Sequence, residues 1–373
     1  MDYAFELTQS LSNYMKAQIA SRLWHAELPN QIRENFSAET MFECNLAVEV
    51  ILQAFENQEY TMWDAEEYLT HLSARCTGQN FTVEARLKDK FSPVHSALQY
   101  QTLPGTVVDS AGNILVWYLP GILSETRVES VWNSLRDIET MIHKAVPLAT
   151  SWRVNDSYFR HEPGWVQPGN INFSPAWFQQ GHETSNPLEV SLDLCNPIGQ
   201  EFIRDTTTSS ALLGAILSII HPEQYRAGMK FLQRLAAEPE LVHKAEILKQ
   251  ILTIWSSPFG VMTVISNRDT PYHRDNGSCY SWYDFLMPLG KGEHGRLELP
   301  GLGLRYKYDP MTLVAITGRL LQHGAVCDGD RAVIVYYMRR TVFEELGVQE
   351  AGWSTTYDLF ANLPATNAFD FEI

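Results

Sequence analysis

The sequence predicts an α+β protein in which a largely helical N-terminal half packs against a C-terminal β-sandwich or barrel, of which the jelly roll is one form. Apolar residues recur at three- and four-residue spacing through much of the first hundred residues, as in amphipathic helices. After Trp255 the chain changes to short β-rich segments separated by turns containing Gly, Pro and Asp. With 45% hydrophobic and 19% charged residues, the 373-residue chain can bury a sizeable core.

The helical half begins with two amphipathic segments, 7–24 (LTQSLSNYMKAQIASRLW) and 38–55 (AETMFECNLAVEVILQAF). Residues 104–120 predict a hairpin, because β-branched runs flank the turn cluster Asp-Ser-Ala-Gly-Asn. Helical spacing returns at about 125–145. The two amphipathic segments predict a helical region over 1–100.

Residues 101–250 are predicted to hold the hairpin and further helices that support the core. Within them, 163–188 is rich in Gly, Pro, Asn and Trp and predicts an ordered loop. Residues 209–255 predict two or three helices, with a break at His221-Pro222.

The β-rich core is predicted at 251–345, followed by a C-terminal tail at 346–373. Short turns separate its strand-like segments. These segments are 261–266, 281–289, 296–300, 304–308, 312–317 and 331–338.

Charge and cysteine content limit the function classes. The net charge of −16 disfavours a nucleic-acid partner. However, residues 1–254 contribute −12 and residues 255–345 are neutral, so the acidity lies outside the β-rich segment. Five scattered cysteines without a CxxC pair predict a reducing, intracellular compartment and neither a disulfide scaffold nor a zinc site. The absence of a long apolar run and of a secretory signal predicts no membrane association.

A metal centre is predicted from the order of four residues. His273 and Asp275 stand two apart, so on an extended segment their side chains project to the same face. His323, just before the last predicted strand, supplies a third ligand. Two histidines and one carboxylate leave three positions open, as in non-haem Fe(II) oxygenases. Arg331 opens the last strand, where its guanidinium is suited to a dicarboxylate.

Three alternatives remain open on the residues alone. His273 and His323 could be loop histidines, with Asp275 and Arg331 on the surface. The segment could be a catalytically silent jelly-roll binding module, which the complete set of four residues disfavours. It could also be a cupin with another metal, although that fold clusters more histidines on one strand pair. His294, in the turn KGEHGR, is interpreted as a surface residue.

The β-rich segment resembles a known family. The blocks NRDTPYHRDNGS, WYDFLMPLG and GRLELPGLGLRYKYDPMTLVAITGRLLQHGAVCDGDRAVIVYYMR are similar to the TET/JBP dioxygenases, particularly their compact fungal branch. The similarity is closest across 255–345. WYLP at 117–120 and NFSPAWFQQG at 172–181 also resemble flanking parts of those proteins, whereas 1–100 shows no match.

This resemblance implies a double-stranded β-helix (jelly-roll) core and an enzyme that uses Fe(II), 2-oxoglutarate and dioxygen. By position, His273, Asp275 and His323 would bind the iron, and Arg331 would bind the 5-carboxylate of 2-oxoglutarate.

Two asparagines are further candidates by resemblance. Asn267 would contact 2-oxoglutarate, with a strand-end turn residue as the alternative. Asn276 would reach toward a flipped base, with a plain Asn-Gly turn as the alternative.

The implied substrate is the methyl group of 5-methylcytosine or 6-methyladenine in DNA, with RNA as a further option. The alternative is hydroxylation of a protein side chain or a small molecule, which the acidic composition favours. A DNA substrate predicts a nuclear protein; otherwise a cytoplasmic one is expected. The oligomeric state is not predicted.

Overall fold

The computed structural model describes residues 2–27, 36–72, 78–162, 164–179, 186–291, 294–326 and 328–361. Two of the five cysteines, Cys76 and Cys327, lie outside these residues; the other three are free thiols. No helix in the described ranges is long and apolar enough to cross a membrane.

Eleven α-helices are found among the described residues. They are α1 (Phe5–Trp24), α2 (Ala38–Glu56), α3 (Ala65–Thr70), α4 (Phe81–Lys90), α5 (Glu125–Ser134), α6 (Leu192–Cys195), α7 (Pro197–Asp205), α8 (Thr207–Ile220), α9 (Pro222–Ala237), α10 (Ala245–Leu252) and α11 (Arg340–Glu345). The first two confirm the predicted amphipathic helices, and α8, α9 and α10 confirm the predicted helices around the break at His221.

The strands form two main sheets. In chain order they are β1 (Gln58–Tyr60), β2 (Gln99–Gln101), β3 (Gly105–Val108), β4 (Ile114–Leu119), β5 (His143–Lys144), β6 (Gly169–Phe173), β7 (Leu188–Glu189), β8 (Val242–His243), β9 (Val261–Ser266), β10 (Thr270–His273), β11 (Asp284–Gly290), β12 (Arg296–Leu299), β13 (Leu304–Lys307), β14 (Leu313–Ile316), β15 (His323–Val326) and β16 (Arg331–Tyr337).

The last eight strands form a jelly roll, as predicted. Strands β14, β11, β16 and β9 lie side by side in the larger sheet, and β10, β15, β12 and β13 lie side by side in the smaller one. Neighbouring strands within each set are antiparallel. Two four-stranded antiparallel sheets in this order are the double-sheet arrangement that leaves few free edges.

The N-terminal half completes both sheets. The predicted hairpin is confirmed as β3 and β4, and β4 pairs with β14. Strand β6 extends the other edge by pairing with β9, and β2 extends the smaller sheet by pairing with β13. The helical half is therefore built into the β-structure and does not form a detachable layer.

Two apolar cores hold the fold together. The larger unites α1, α2, α8 and α9 with one face of the larger sheet, including Phe285, Met287 and Ile334. The smaller core fills the space between the sheets. It includes Leu286 and Val314, whose side chains point to the opposite face of the larger sheet from Phe285 and Met287. Alternation of side chains along each strand explains why one sheet contributes to both cores.

Three predictions of local structure were wrong. The helix expected over 125–145 ends at Ser134 and is followed by a 3₁₀ turn and β5. The predicted loop 163–188 contains β6. Its five residues were not recognised as a strand because turn-forming residues flank them. Strands β10 and β15 were not predicted, because each has four residues and includes a Pro or a Gly.

Candidate metal centre

The three predicted ligands converge at one end of the smaller sheet. His273 ends β10 and is paired in register with His323, which begins β15. Asp275 follows two residues after His273. One donor atom from each residue lies within 4.8 Å of the others, and no other group of this kind is found among the described residues. The i and i+2 spacing therefore places imidazole and carboxylate on one side of the chain.

Backbone carbonyl groups orient both imidazole rings. Nδ1 of His273 lies 2.9 Å from the carbonyl oxygen of Pro271, and Nδ1 of His323 lies 3.0 Å from that of Leu321. Each Nδ1–H can donate to its carbonyl, which leaves Nε2 free as a ligand. Both Nε2 atoms face the Asp275 carboxylate at 3.3 Å. The hydrogen bonds from the two Nδ1 atoms to backbone carbonyls are those expected of metal-binding histidines.

The electrostatics of the centre favour the ligand forms of the side chains. Burial by itself raises the pKa of Asp275, but His273 and His323 lower it well below its usual range. Burial, reinforced by His323, lowers the pKa of His273. A carboxylate and a neutral imidazole are the states that bind a metal ion.

Gly318 lets the chain approach the ligands closely. A Cβ atom at this position would lie 2.9 Å from Oδ2 of Asp275 and 2.6 Å from Oδ2 of Asp284. The backbone carbonyl of Gly318 also accepts a hydrogen bond from the amide of Asp275 at 3.0 Å. Burial, and to a smaller extent the negative charge of nearby Asp275, raises the pKa of Asp284 well above its usual range.

Arg331 is buried, and its guanidinium makes no hydrogen bond to any described residue. The residue is 5% exposed, and none of its three guanidinium nitrogens has a hydrogen-bond partner within the described structure. The guanidinium lies 4.7 Å from the centre of the Tyr308 ring. An unpaired buried guanidinium is costly, so the geometry fits an external carboxylate at this position.

Asn267 is positioned at the end of β9 and is engaged with its own chain. Its Oδ1 accepts from the Arg331 amide at 2.9 Å, and its Nδ2 donates to the Val166 carbonyl at 2.9 Å. Its φ of 50° is in the left-handed region that asparagine tolerates. This geometry matches the alternative of a strand-end turn residue, which here supports the backbone of Arg331. Contact with 2-oxoglutarate stays a prediction.

Asn276 lies on the exposed rim beside Asp275, and Gly277 follows it with a φ of 89°. The Asn-Gly turn is thus present, and the position also leaves the Asn276 side chain open to a substrate. His294 is exposed and does not belong to the metal cluster.

Three residues near the centre were not singled out from the sequence. The Trp152 ring lies 4.6 Å from the His273 ring, and Nη2 of Arg153 lies 3.6 Å from Oδ1 of Asp275. The Arg268 guanidinium lies 4.9 Å from the Trp152 ring. Burial, and to a smaller extent the positive charge of Arg153, lowers the pKa of Arg268 to about 9.

No sequence signal identifies Trp152 and Arg153, because they lie in a loop about 120 residues before the ligands. For Arg268 the one signal is its position five residues before His273, on the segment that carries the HxD motif.

Comparison with known families identifies the class of enzyme. Residues 174–340 match the sequence model of a family described as Tet_JBP, the oxygenase domain of the 2OGFeDO superfamily. The protein is therefore a dioxygenase that depends on Fe(II), 2-oxoglutarate and dioxygen. No curated protein sequence matches the chain.

Within this superfamily, the model that matches this segment is that of the Tet/JBP family. Among solved structures, one that is similar is NgTET1 in complex with 5mC DNA, at 15% identity and a TM-score of 0.45. The match covers 75% of this chain and 92% of NgTET1. Membership of the compact fungal branch stays a prediction.

Proposed function

We propose that the protein oxidises the methyl group of a methylated base in DNA, with 5-methylcytosine as the first candidate and 6-methyladenine as the second. The observation that carries the proposal is a match to a Tet/JBP oxygenase domain, together with a converged His-Asp-His cluster and a buried Arg331 whose guanidinium has no hydrogen-bond partner among the described residues. These are the residues that such a reaction requires on the protein.

His273, Asp275 and His323 would hold the iron on one side and leave the other side open. Iron, 2-oxoglutarate and dioxygen together supply the oxidising power needed to hydroxylate an unactivated methyl group. Arg331 would bind the distal carboxylate of 2-oxoglutarate with two parallel N–H donors. The chain itself therefore binds the iron and 2-oxoglutarate, orients the substrate and excludes water from the site.

One partly exposed cation beside the metal cluster could contact a nucleic-acid backbone. Arg153 lies 3.6 Å from Asp275, and its side chain is 40% exposed. Phosphate contacts position DNA without reading its sequence. Since a methyl group inside a duplex cannot reach the metal, the target base must leave the stack or be single-stranded already. A DNA substrate also leads us to expect the protein in the nucleus.

A second candidate is hydroxylation of a protein side chain or a small molecule. The net charge of −16 favours it, because long-range repulsion opposes DNA binding at low salt. The neutral charge of 255–345 weakens this objection at the site itself.

Turnover of 2-oxoglutarate separates these candidates. We expect methylated oligonucleotides, and not unmodified ones of the same sequence, to increase succinate production by the iron-loaded protein. The matched control is Asp275→Ala, which removes the carboxylate ligand and should abolish succinate production with every substrate. If no methylated DNA or RNA increases succinate production while the protein still decarboxylates 2-oxoglutarate slowly, the substrate proposal fails and the class assignment stands.

A further inference from the structure

Arg274, between the two ligands of the HxD motif, joins the metal centre to the N-terminal helices. In an extended segment its side chain points away from those of His273 and Asp275. The residue is 1% exposed, and its guanidinium bonds both carboxylate oxygens of Glu84 on α4, at 2.6 and 2.8 Å. It also donates to the hydroxyl of Tyr68 on α3 at 2.8 Å.

The backbone of Arg274 is held from the same side. Its amide donates to the Gly78 carbonyl at 3.1 Å, and its carbonyl accepts from the Gly78 amide at 2.9 Å. The residue that separates the two ligands is therefore fixed at both backbone and side chain by the N-terminal region.

Packing makes this attachment rigid. The Tyr68 ring stacks on Trp63 at 4.6 Å and contacts Phe91 at 4.8 Å, so the hydroxyl has little freedom. A bidentate Arg–carboxylate pair fixes both distance and plane of the guanidinium. By contrast, β10 has only four residues and an irregular register with β15, so its own sheet holds the motif weakly.

We propose that Glu84 and Tyr68 are positioning residues for the metal centre, acting through Arg274 to set the separation of the His273 and Asp275 ligands. The helical region then does more than cover the sheet, because it determines how well the site binds its metal. This inference does not depend on the identity of the substrate.

A matched pair elsewhere in the chain provides the control. Arg127 donates to both carboxylate oxygens of Glu43 at 3.0 and 2.7 Å, and Ser124 adds a hydroxyl bond at 2.8 Å. Glu43 is as buried as Arg274, and the pair joins α2 to α5, away from the ligands. Glu43→Gln and Glu84→Gln thus remove the same interaction at two places.

The test is calorimetric titration of the metal-free full chain with Mn²⁺, together with the thermal midpoint of each variant. We expect Glu84→Gln to weaken Mn²⁺ binding by about tenfold or more, as loss of outer-shell support does in other metal sites. Glu43→Gln should lower the thermal midpoint as well but leave Mn²⁺ affinity within about twofold of wild type, since additive, distant sites do not couple.

Two results would overturn the proposal: wild-type affinity in Glu84→Gln, or an equal loss of affinity in both variants, which would show a general effect of destabilisation. If Glu84→Gln does not fold, Tyr68→Phe decides the question, because it keeps the ring packing and removes only the hydroxyl. A weaker Mn²⁺ affinity in Tyr68→Phe at an unchanged thermal midpoint supports the proposal, and an unchanged affinity refutes it.

Discussion

At the scale of single residues, the buried charge of Arg331 has opposite effects on folding and on co-substrate binding. It destabilises the folded protein, but it provides the donors that a dicarboxylate needs. The guanidinium is desolvated and has no hydrogen-bond partner among the described residues. This state destabilises the protein when no co-substrate is bound. Asn267 supports its backbone, and the Tyr308 ring faces its charge. Binding of a dicarboxylate would satisfy the donors that the fold leaves open.

Replacing Arg331 by Met should therefore separate affinity from stability. We expect the KM for 2-oxoglutarate to rise roughly 100-fold, from the loss of about 3 kcal/mol of charge-assisted hydrogen bonding. The free energy of unfolding of the metal-free protein should not decrease. Steady-state kinetics and urea denaturation measure the two effects. Arg339→Met is the control, because Arg339 lies beyond β16; a comparable rise in KM there would contradict the assignment of Arg331.

Gly318 offers a steric test of the Asp275 ligand. In Gly318→Ala, the added methyl group would lie within 3 Å of carboxylate oxygens of Asp275 and Asp284, so one of them must move. We expect a loss of Mn²⁺ affinity of about tenfold or more. The control is Gly260→Ala, whose methyl group would meet nothing closer than 3.5 Å. Unchanged metal affinity in Gly318→Ala would argue against Asp275 as a ligand.

Sequence reasoning at this scale identified the residues that later converge, because spacing and order along strands are visible in the sequence. His273, Asp275 and His323 come together as their spacing required. Trp152 and Arg153 could not be predicted, since only the tertiary fold brings their loop to the site. The role expected for Asn267 depended on resemblance, and its actual bonds are visible only in the structure.

At the scale of elements, the two strands that carry the ligand histidines are short and lack a recognisable strand pattern. Strands β10 and β15 have four residues each, and neither has the alternating apolar pattern of a half-buried strand. The longer strands β9, β11 and β16 were predicted because their β-branched and aromatic runs are bounded by turns. The two ligand histidines therefore lie on strands that the sequence pattern alone does not reveal.

The junction of α8 and α9 makes folding stability dependent on pH. His221 is fully buried, its Nδ1 accepts from the Gln224 amide, and its Nε2 contacts the Ser281 carbonyl. Burial lowers its pKa from an ordinary value near 6.5 to about 4. The unfolded chain therefore binds a proton that the folded chain does not, so stability falls as pH decreases below 6.5.

We expect this residue to remove about 2 kcal/mol of unfolding free energy between pH 7 and pH 5. His221→Asn keeps a side chain suited to a helix N-terminus and should lose that part of the pH dependence. Urea denaturation of both proteins at the two pH values measures the difference. Identical pH dependence in the variant and in wild type would show that His221 titrates normally.

At the scale of the whole molecule, the helical and β-rich regions form one folding unit. The larger apolar core includes residues from Phe5 to Leu359, and strands of the N-terminal half occupy positions in both sheets. Helical periodicity and the pattern of strands and turns predicted an α+β fold with a β-rich end. They did not predict this interleaving, because pairings such as β2 with β13 join residues about 200 apart. The division into segments at 100, 250 and 345 stays a prediction.

The core segment 251–345 expressed alone should accordingly fail to fold. It would lose β4 and β6 from the two flanks of its larger sheet and the helices that cover Phe285 and Ile334. Exposed apolar sheet faces and free edges favour aggregation. Proton NMR of the isolated segment measures this; a dispersed, cooperative spectrum would show that the jelly roll is an independent domain.

The most direct test of the proposed activity is mass spectrometry of nucleosides after incubation with DNA that carries both 5-methylcytosine and 6-methyladenine. With Fe(II), 2-oxoglutarate and dioxygen, we expect an oxidised derivative of one of the two bases, formed together with succinate and absent with Asp275→Ala. Recovery of both methylated bases unchanged, in single-stranded and duplex DNA alike, by protein that consumes 2-oxoglutarate would contradict the assignment of methylated DNA as the substrate.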